Sequence, residues 1–253
     1  MARPHPIATE SLRSLREDVA TANRIAHAAG LVTAFGHVSA RIPGTETFVI
    51  PTRASPLFAD AARLLVMSCE GDVLEGDGQP NSESWIHARL YAARPEVGGV
   101  AHVHSPACVA LGQLGLTVRP LHNSGAVAGE VPVFGRAGLI RTWALGDAAA
   151  EALGSGRALL LRGHGANIAE SDVRRAVVVA CFLEESARLQ LDALAAAGGD
   201  ESRLLYLDAE EAARARDEVE STGPITRAWA YYAALTSAPL PPRREGHEYR
   251  EEG

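Results

Sequence analysis

Apolar residues recur at helical spacing at the start of the chain and then give way to short alternating or continuous runs. In TESLRSLREDVATANRIAHAAG, residues Leu12, Leu15, Val19 and Ala22 share one face, and Gly30 is a terminator, so a helix is predicted there. LVTAFGHVSARIPG and TFVIP read as two short strands around a Gly-containing turn, and LLVMSCEGDVLEG as strand, Gly-Asp turn, strand. SESWIHARLYAARPE returns to a helical period, with Ser82 as its predicted N-cap and Pro95 beyond its end. VGGVAHVHS is a strand, followed by a short helix after Pro106. EVPVF is a strand and ALGDAAAEALG a helix. RALLLRGHGANIAE gives two strands joined at Gly163, His164 and Gly165. SDVRRAVVVACFLEESARLQLDALAAAGG is a long helix closed by glycines, with Glu184, Glu185 and Arg188 read as charge pairs on its surface. TGPITRAWAYYAAL places Trp229 and Tyr232 at helical spacing beside Tyr231, for packing or as a lid. Hairpin-linked strands between helices predict an α/β fold with a mixed, mainly antiparallel sheet covered by helices.

Composition narrows the class. With 253 residues, 47% of them hydrophobic, the chain has material for one large domain, here taken as residues 1–237. The Pro-rich, charged stretch from 238 to 253 reads as a disordered tail. A net charge of −7 without a basic stripe argues against nucleic acid and anionic lipid as partners. Cys69, Cys108 and Cys181 are too scattered for a metal or disulfide motif and read as reduced, buried thiols. With no signal-like or membrane-spanning run, the expectation is a cytoplasmic protein that takes a small-molecule substrate.

The chemistry lies in the histidines. Alternate side chains of a strand share a face. His102 and His104 therefore project together, with Val103 in the opposite layer. Two imidazoles so placed can converge on one ion, and such sites need three or four N, O or S donors. His164, between two glycines at the end of ALLL, is a third donor, and Glu83, opening a helix, is a fourth or an acid/base group. His87 follows Glu83 by one helical turn. Taken singly, each of these residues has an ordinary structural role; their joint occurrence points to a metal.

GHVSAR (Gly36 to Arg41), SESWIHARLYAARPEVGGVAHVHS (Ser82 to Ser105) and RGHGA (Arg162 to Ala166) together resemble the class II aldolase/adducin family over about residues 10 to 200. The resemblance implies a three-layer α/β/α fold around a mainly antiparallel sheet. It implies one divalent metal per subunit on His102, His104 and His164, with Glu83 as catalytic acid/base. Zinc is the first choice, with manganese, iron or cobalt as alternatives. It also implies a homotetramer with active sites at subunit interfaces.

The departures from the family pattern concern the anion pocket. Sugar-phosphate aldolases of the family carry Gly-Asn, Thr-Gly and paired serines around the phosphate. Here those places read Gly36-His37, Arg53 and Ser55 in PTRASP, and Asn81-Ser82. An Arg fork suits a carboxylate. GHVSAR and RPLHNSGAVAGEVPVF look more like the family's decarboxylases of aromatic catabolism, including the 3,4-dihydroxyphthalate and 2-hydroxy-3-carboxymuconate-semialdehyde types. HNSG departs from the YHMAG of the latter. The expected activity is decarboxylation of a hydroxylated aromatic or related dicarboxylic acid. The substrate-binding set is His37, Ser39, Arg53, Ser55, Ser82 and His122. Glu83 serves as proton donor provided its neighbours raise its pKa. The alternatives are an aldolase or epimerase on a sugar or hydroxy-keto acid, and an adducin-like binding module. Adducin-type domains are expected to lack the metal residues that this chain keeps.

Overall fold

The computed structural model describes residues 9–221 and 223–236; the expected tail from 238 lies outside them. Among these residues the chain runs α1 (Thr9–Ala28), β1 (His37–Arg41), β2 (Thr47–Ile50), β3 (Leu65–Ser68), β4 (Val73–Glu75), α2 (Ser84–Ala93), β5 (Gly99–Val103), α3 (Pro106–Leu114), β6 (Val133–Phe134), α4 (Trp143–Leu153), β7 (Ala158–Leu161), β8 (Gly165–Glu170), α5 (Val173–Ala196), α6 (Ala209–Glu220) and α7 (Pro224–Leu235). The eight strands form one sheet in the order β4-β3-β2-β1-β5-β8-β7-β6. Every neighbouring pair is antiparallel except β6 and β7.

Strand alternation splits the core into two layers. Val38, Ala40, Ala101, Val103, Ala166 and Ile168 face α1, α3 and α5, where Val19, Ile25, Leu111 and Val177 meet them. Phe48, Ile50, Val100, Leu159 and Leu161 face α2 and α4, against Ile86, Leu90, Tyr91, Ala149 and Leu153. Each fully buried Leu or Ile here contributes roughly 1.5–3 kcal/mol. The arrangement is the expected α/β/α stack, and α1 buries the face carrying Val19 and Ala22 as its period requires. The three cysteines are free and buried.

Several local expectations change. Helix α2 starts one residue later than a Ser82 cap allows. Glu83 holds the N-cap position, and its side chain makes no cap bond because it turns to the histidines instead. EVPVF joins the sheet through Val133 and Phe134, parallel to β7, while its Val131 makes an isolated antiparallel bridge to Val118. Glu184 is buried, not a surface charge: it accepts the Ala107 amide at 3.1 Å at the first turn of α3, and Arg188 reaches it from the surface at 2.8 Å. Trp229 and Tyr232 are partly buried against the α1/α5 layer, with Arg174 over the Trp229 ring, and Tyr231 is exposed. Helix α6, polar along most of its length, has no counterpart in the hydrophobic pattern.

No described helix is long and apolar enough to cross a membrane.

Candidate metal centre

Register brings the histidines together. In the central strands, His37 of β1 pairs with His102 of β5, which pairs with Asn167 of β8. All three therefore stand at one end of the sheet, where β1 begins, β5 ends and β8 begins. His104 lies just past β5, anchored by its amide to the Leu31 carbonyl at 2.9 Å. His164 sits in the tight β7–β8 turn closed by its own amide on the Leu161 carbonyl. Gly163 takes φ +70° there, and Gly165 lies so close to β5 that a Cβ would fall 1.9 Å from the Val103 carbonyl oxygen. The two glycines thus press His164 against His102 and His104, with ring centroids 4.8 and 4.9 Å away.

Glu83 completes the group from α2. One potential ligand atom from each of Glu83, His102, His104 and His164 falls within 4.8 Å of all the others. The Nε2 atoms of His102 and His104 are 3.1 Å apart. Glu83 Oε2 lies 3.8 Å from His102 Nε2 and 3.4 Å from His164 Nε2. Two nitrogens that share an ion at ~2.1 Å stand ~3.0–3.4 Å apart, so the imidazole pair already has the spacing of co-ligands.

Two further observations fit a divalent ion. Neither ring nitrogen of His164 has a hydrogen-bond partner, although both are buried, a costly state that a ligand would relieve. His102 Nδ1 donates to Asn167 Oδ1 at 2.8 Å, which leaves its Nε2 with a lone pair aimed at the cluster. Burial holds His102 down at about 3, with the neighbouring His104 and His164 adding to the effect, and it also lowers His104. Neutral imidazoles are what metal ligation requires. Three imidazoles and one carboxylate leave coordination positions for substrate oxygens.

Glu83 departs from expectation in its proton affinity. Burial pushes its carboxyl up, but the imidazoles of His164 and His102 and the Ile140 amide outweigh burial and bring it to about 2. The Ile140 amide donates to Oε1 at 2.8 Å, so Oε2 is the oxygen that faces the histidines. The group is a standing carboxylate, not the raised acid that donation to substrate was expected to need.

The remaining expected residues are distributed differently. His37 is buried against the cluster, 5.1 Å from the His102 ring, and bonds to His87. Ser39 is fully buried and spends its hydroxyl on His87 and Tyr91, so it supports the site from inside the core and does not line a pocket. Ser55 donates to the Thr33 carbonyl and caps a short helical turn, which engages its hydroxyl locally. Arg53 is exposed, and its loop is tied to the segment before Glu83 by a Thr52–Pro80 bridge and an Arg53 amide to the Gln79 carbonyl. Ser82 is half-buried in that segment. His122 packs beside Gly125 and Ser186, with a buried, unpartnered Nε2. Sequence reasoning missed Asn167, Ile140 and the role of Asn81, whose Oδ1 accepts the Glu83 amide at 3.0 Å. The Asn two residues before Glu83 is an Asx-turn signal that marks this position.

A helix-covered, mainly antiparallel sheet with three histidines and a glutamate clustered at one end, where they could hold a metal ion, is an arrangement of the class II aldolase type. The sequence profile described as Class II Aldolase and Adducin N-terminal domain matches residues 17–191, and the chain belongs to this family. It is 35% identical over 204 residues to the 3,4-dihydroxyphthalate decarboxylase of Terrabacter sp. (strain DBF63), covering 75% of this chain and 84% of that protein. It is 32% identical over 204 residues to the enzyme of the same name from Rhodococcus jostii (strain RHA1), covering 74% and 83%. The L-fuculose 1-phosphate aldolase from Glaciozyma antarctica PI12 shares the fold with a TM-score of 0.76 at 24% identity, covering 92% of this chain and 93% of that one. The chain is accordingly a lyase of the decarboxylase or aldolase kind.

Proposed function

We propose that the protein is a metal-dependent decarboxylase of a hydroxylated aromatic dicarboxylic acid, of the 3,4-dihydroxyphthalate type. The observation that carries this reading is the identity to decarboxylases of that name over three quarters of the chain. The loss of the aldolase phosphate pattern at His37, Arg53 and Asn81 supports it.

In this reading His102, His104 and His164 hold the ion, with zinc the first choice and manganese, iron or cobalt as alternatives. When bound, a divalent ion supplies Lewis acidity to two neighbouring substrate oxygens. Glu83 begins as a carboxylate and takes a proton on Oε2 from a substrate hydroxyl. The bond to the departing carboxylate breaks, CO2 leaves, and the electron pair stays on the ring carbon. Glu83 returns its proton to that carbon, and solvent reprotonates the product oxygen. Arg53, on the loop bridged to Pro80, and His37 bind the carboxylate that remains; Ser82 and His122 add hydrogen bonds. The same reading makes residues 1–237 one domain and the enzyme a cytoplasmic homotetramer, which light scattering and cell fractionation check.

The test is CO2 release from 3,4-dihydroxyphthalate by the metal-loaded protein, abolished by chelator and by His104→Ala. If a panel of vicinal-diol carboxylates is left untouched, the reading fails. Aldehyde release from hydroxy-keto acids in the same assay would replace it with the aldolase reading.

A further inference from the structure

Two loops leave the sheet beside the metal centre, and one arginine joins them. Strands β6 and β7 are parallel, so both end where β8 begins, at the end of the sheet that carries the histidines. The turn after β7 carries His164, and the loop after β6, residues 135–142, returns to Glu83. Arg162 holds the start of that loop twice. Its amide donates to the Phe134 carbonyl at 3.2 Å, and its Nε donates to the Gly135 carbonyl at 2.8 Å. Further along the loop, the Ile140 amide donates to Glu83 Oε1 at 2.8 Å.

Between these bonds the loop has little else to fix it. Residues 135–139 are exposed, and among the described residues the Arg162 Nε bond is the only one that a side chain makes to them. A Cβ at Gly135 or Gly138 would stand in open space, and Gly138 takes φ +108°. Such a segment loses much backbone freedom when it is held in one path. Its far end is pinned, because the Ile140 side chain is buried in the α2/α4 layer and Thr142 caps α4. That burial holds the Ile140 side chain, but its N–H belongs to the rigid peptide plane shared with Leu139, so the path of the preceding loop aims it. The aim matters because the amide engages Oε1 and leaves Oε2 facing His102 and His164, at 3.8 and 3.4 Å.

We propose that Arg162 is a positioning residue for Glu83. By holding Gly135 it fixes the path of residues 135–139, aims the Ile140 amide at Oε1 and presents Oε2 alone to the histidines. Because Arg162 also opens the turn of His164, one residue keeps the two loops of the site in step. The kinetic consequence rests on the decarboxylase reading, but the hydrogen-bond order does not depend on it.

Two measurements test it on the full-length, metal-loaded protein. The first is hydrogen exchange at the Ile140 amide, followed by NMR with 15N-isoleucine labelling. Arg162→Ala leaves the backbone bond to Phe134 in place. It is expected to speed this exchange about five- to tenfold, and Arg162→Lys, which keeps a donor, to restore most of the protection. Unchanged protection in Arg162→Ala overturns the proposal whatever the substrate proves to be, and means that the buried Ile140 side chain alone aims the amide. The second measurement is kinetic. Arg162→Ala is expected to lower kcat for the dicarboxylate about tenfold, with KM and metal content unchanged. In a Glu83→Gln background the same change is expected to cost nothing further. An equal, additive loss in that background would show that Arg162 does not act through Glu83 and would overturn the proposal. Absence of CO2 release by the wild type would instead remove the decarboxylase reading and leave the exchange result to decide the role of Arg162.

Discussion

Asn167 Oδ1 accepts the Nδ1 proton of His102 at 2.8 Å, between two residues paired directly across β5 and β8. The bond fixes the ring of one metal ligand and keeps its Nε2 lone pair free. Asn167→Ala is expected to weaken metal binding by about 10–100-fold, as loss of such supporting groups does, and Asn167→Asp, which keeps an acceptor, to retain it. Titration of metal-free protein with zinc measures both. Unchanged affinity in Asn167→Ala would mean that the His102 ring is held by packing alone.

The position of His164 depends on its neighbour. A Cβ at Gly165 would meet the Val103 carbonyl at 1.9 Å, against backbone that has no room to yield. Gly165→Ala is therefore expected to push the start of β8 away from β5 and to lower both metal content and stability, the latter by roughly 1–3 kcal/mol. Metal analysis and denaturant unfolding read the two effects. A variant with full metal occupancy would show that the turn adapts without moving His164.

What could be read from the sequence was whatever follows from local period. The alternation in AHVHS puts His102 and His104 on one face, and the glycines around His164 mark a tight turn. Glu83 opens a helix as its position suggests. What could not be read depends on register between distant strands. His37 meets His102, and His102 meets Asn167, only because β1, β5 and β8 are neighbours in the sheet. Ser39 looks like a substrate contact in GHVSAR until α2 sets His87 and Tyr91 over it. Glu184 fits a surface charge pattern because helical spacing with Arg188 says nothing about α3 packing across it. Helix α6 escapes a hydrophobic pattern because it is mostly polar, although its capping box, Asp208 with Glu211, was a usable signal.

Glu83 offers a direct test of the chemistry. Glu83→Gln keeps the shape and an oxygen for the Ile140 amide, and it removes the charge and the proton exchange. Metal held by the three imidazoles is expected to remain, while kcat falls by about 10²–10⁴. Because the His164, His102 and Ile140 contacts hold the wild-type carboxyl at about 2 despite burial, no acid limb of kcat is expected near the ordinary value of 4.5. Steady-state rates across pH check this. A limb centred near that ordinary value would show that Glu83 ionises as an unperturbed carboxyl.

His87 makes stability depend on pH. It is completely buried, and burial first, then nearby His102, lowers it from 6.5 to about 3. The folded value lies below the unfolded one, so between them the unfolded chain binds a proton that the native state refuses. This stabilisation is therefore fully present above 6.5 and declines as pH falls from 6.5 towards about 3, by up to ~1.4 kcal/mol per pH unit for one proton. His87→Gln removes the titrating group. Its denaturant midpoint is expected to fall less steeply than that of the wild type through this window, so the stability gap between the two proteins narrows as pH drops. Both are measured in the same metal state. Parallel curves would mean that His87 is protonated in the native state, with its ring charged inside the core.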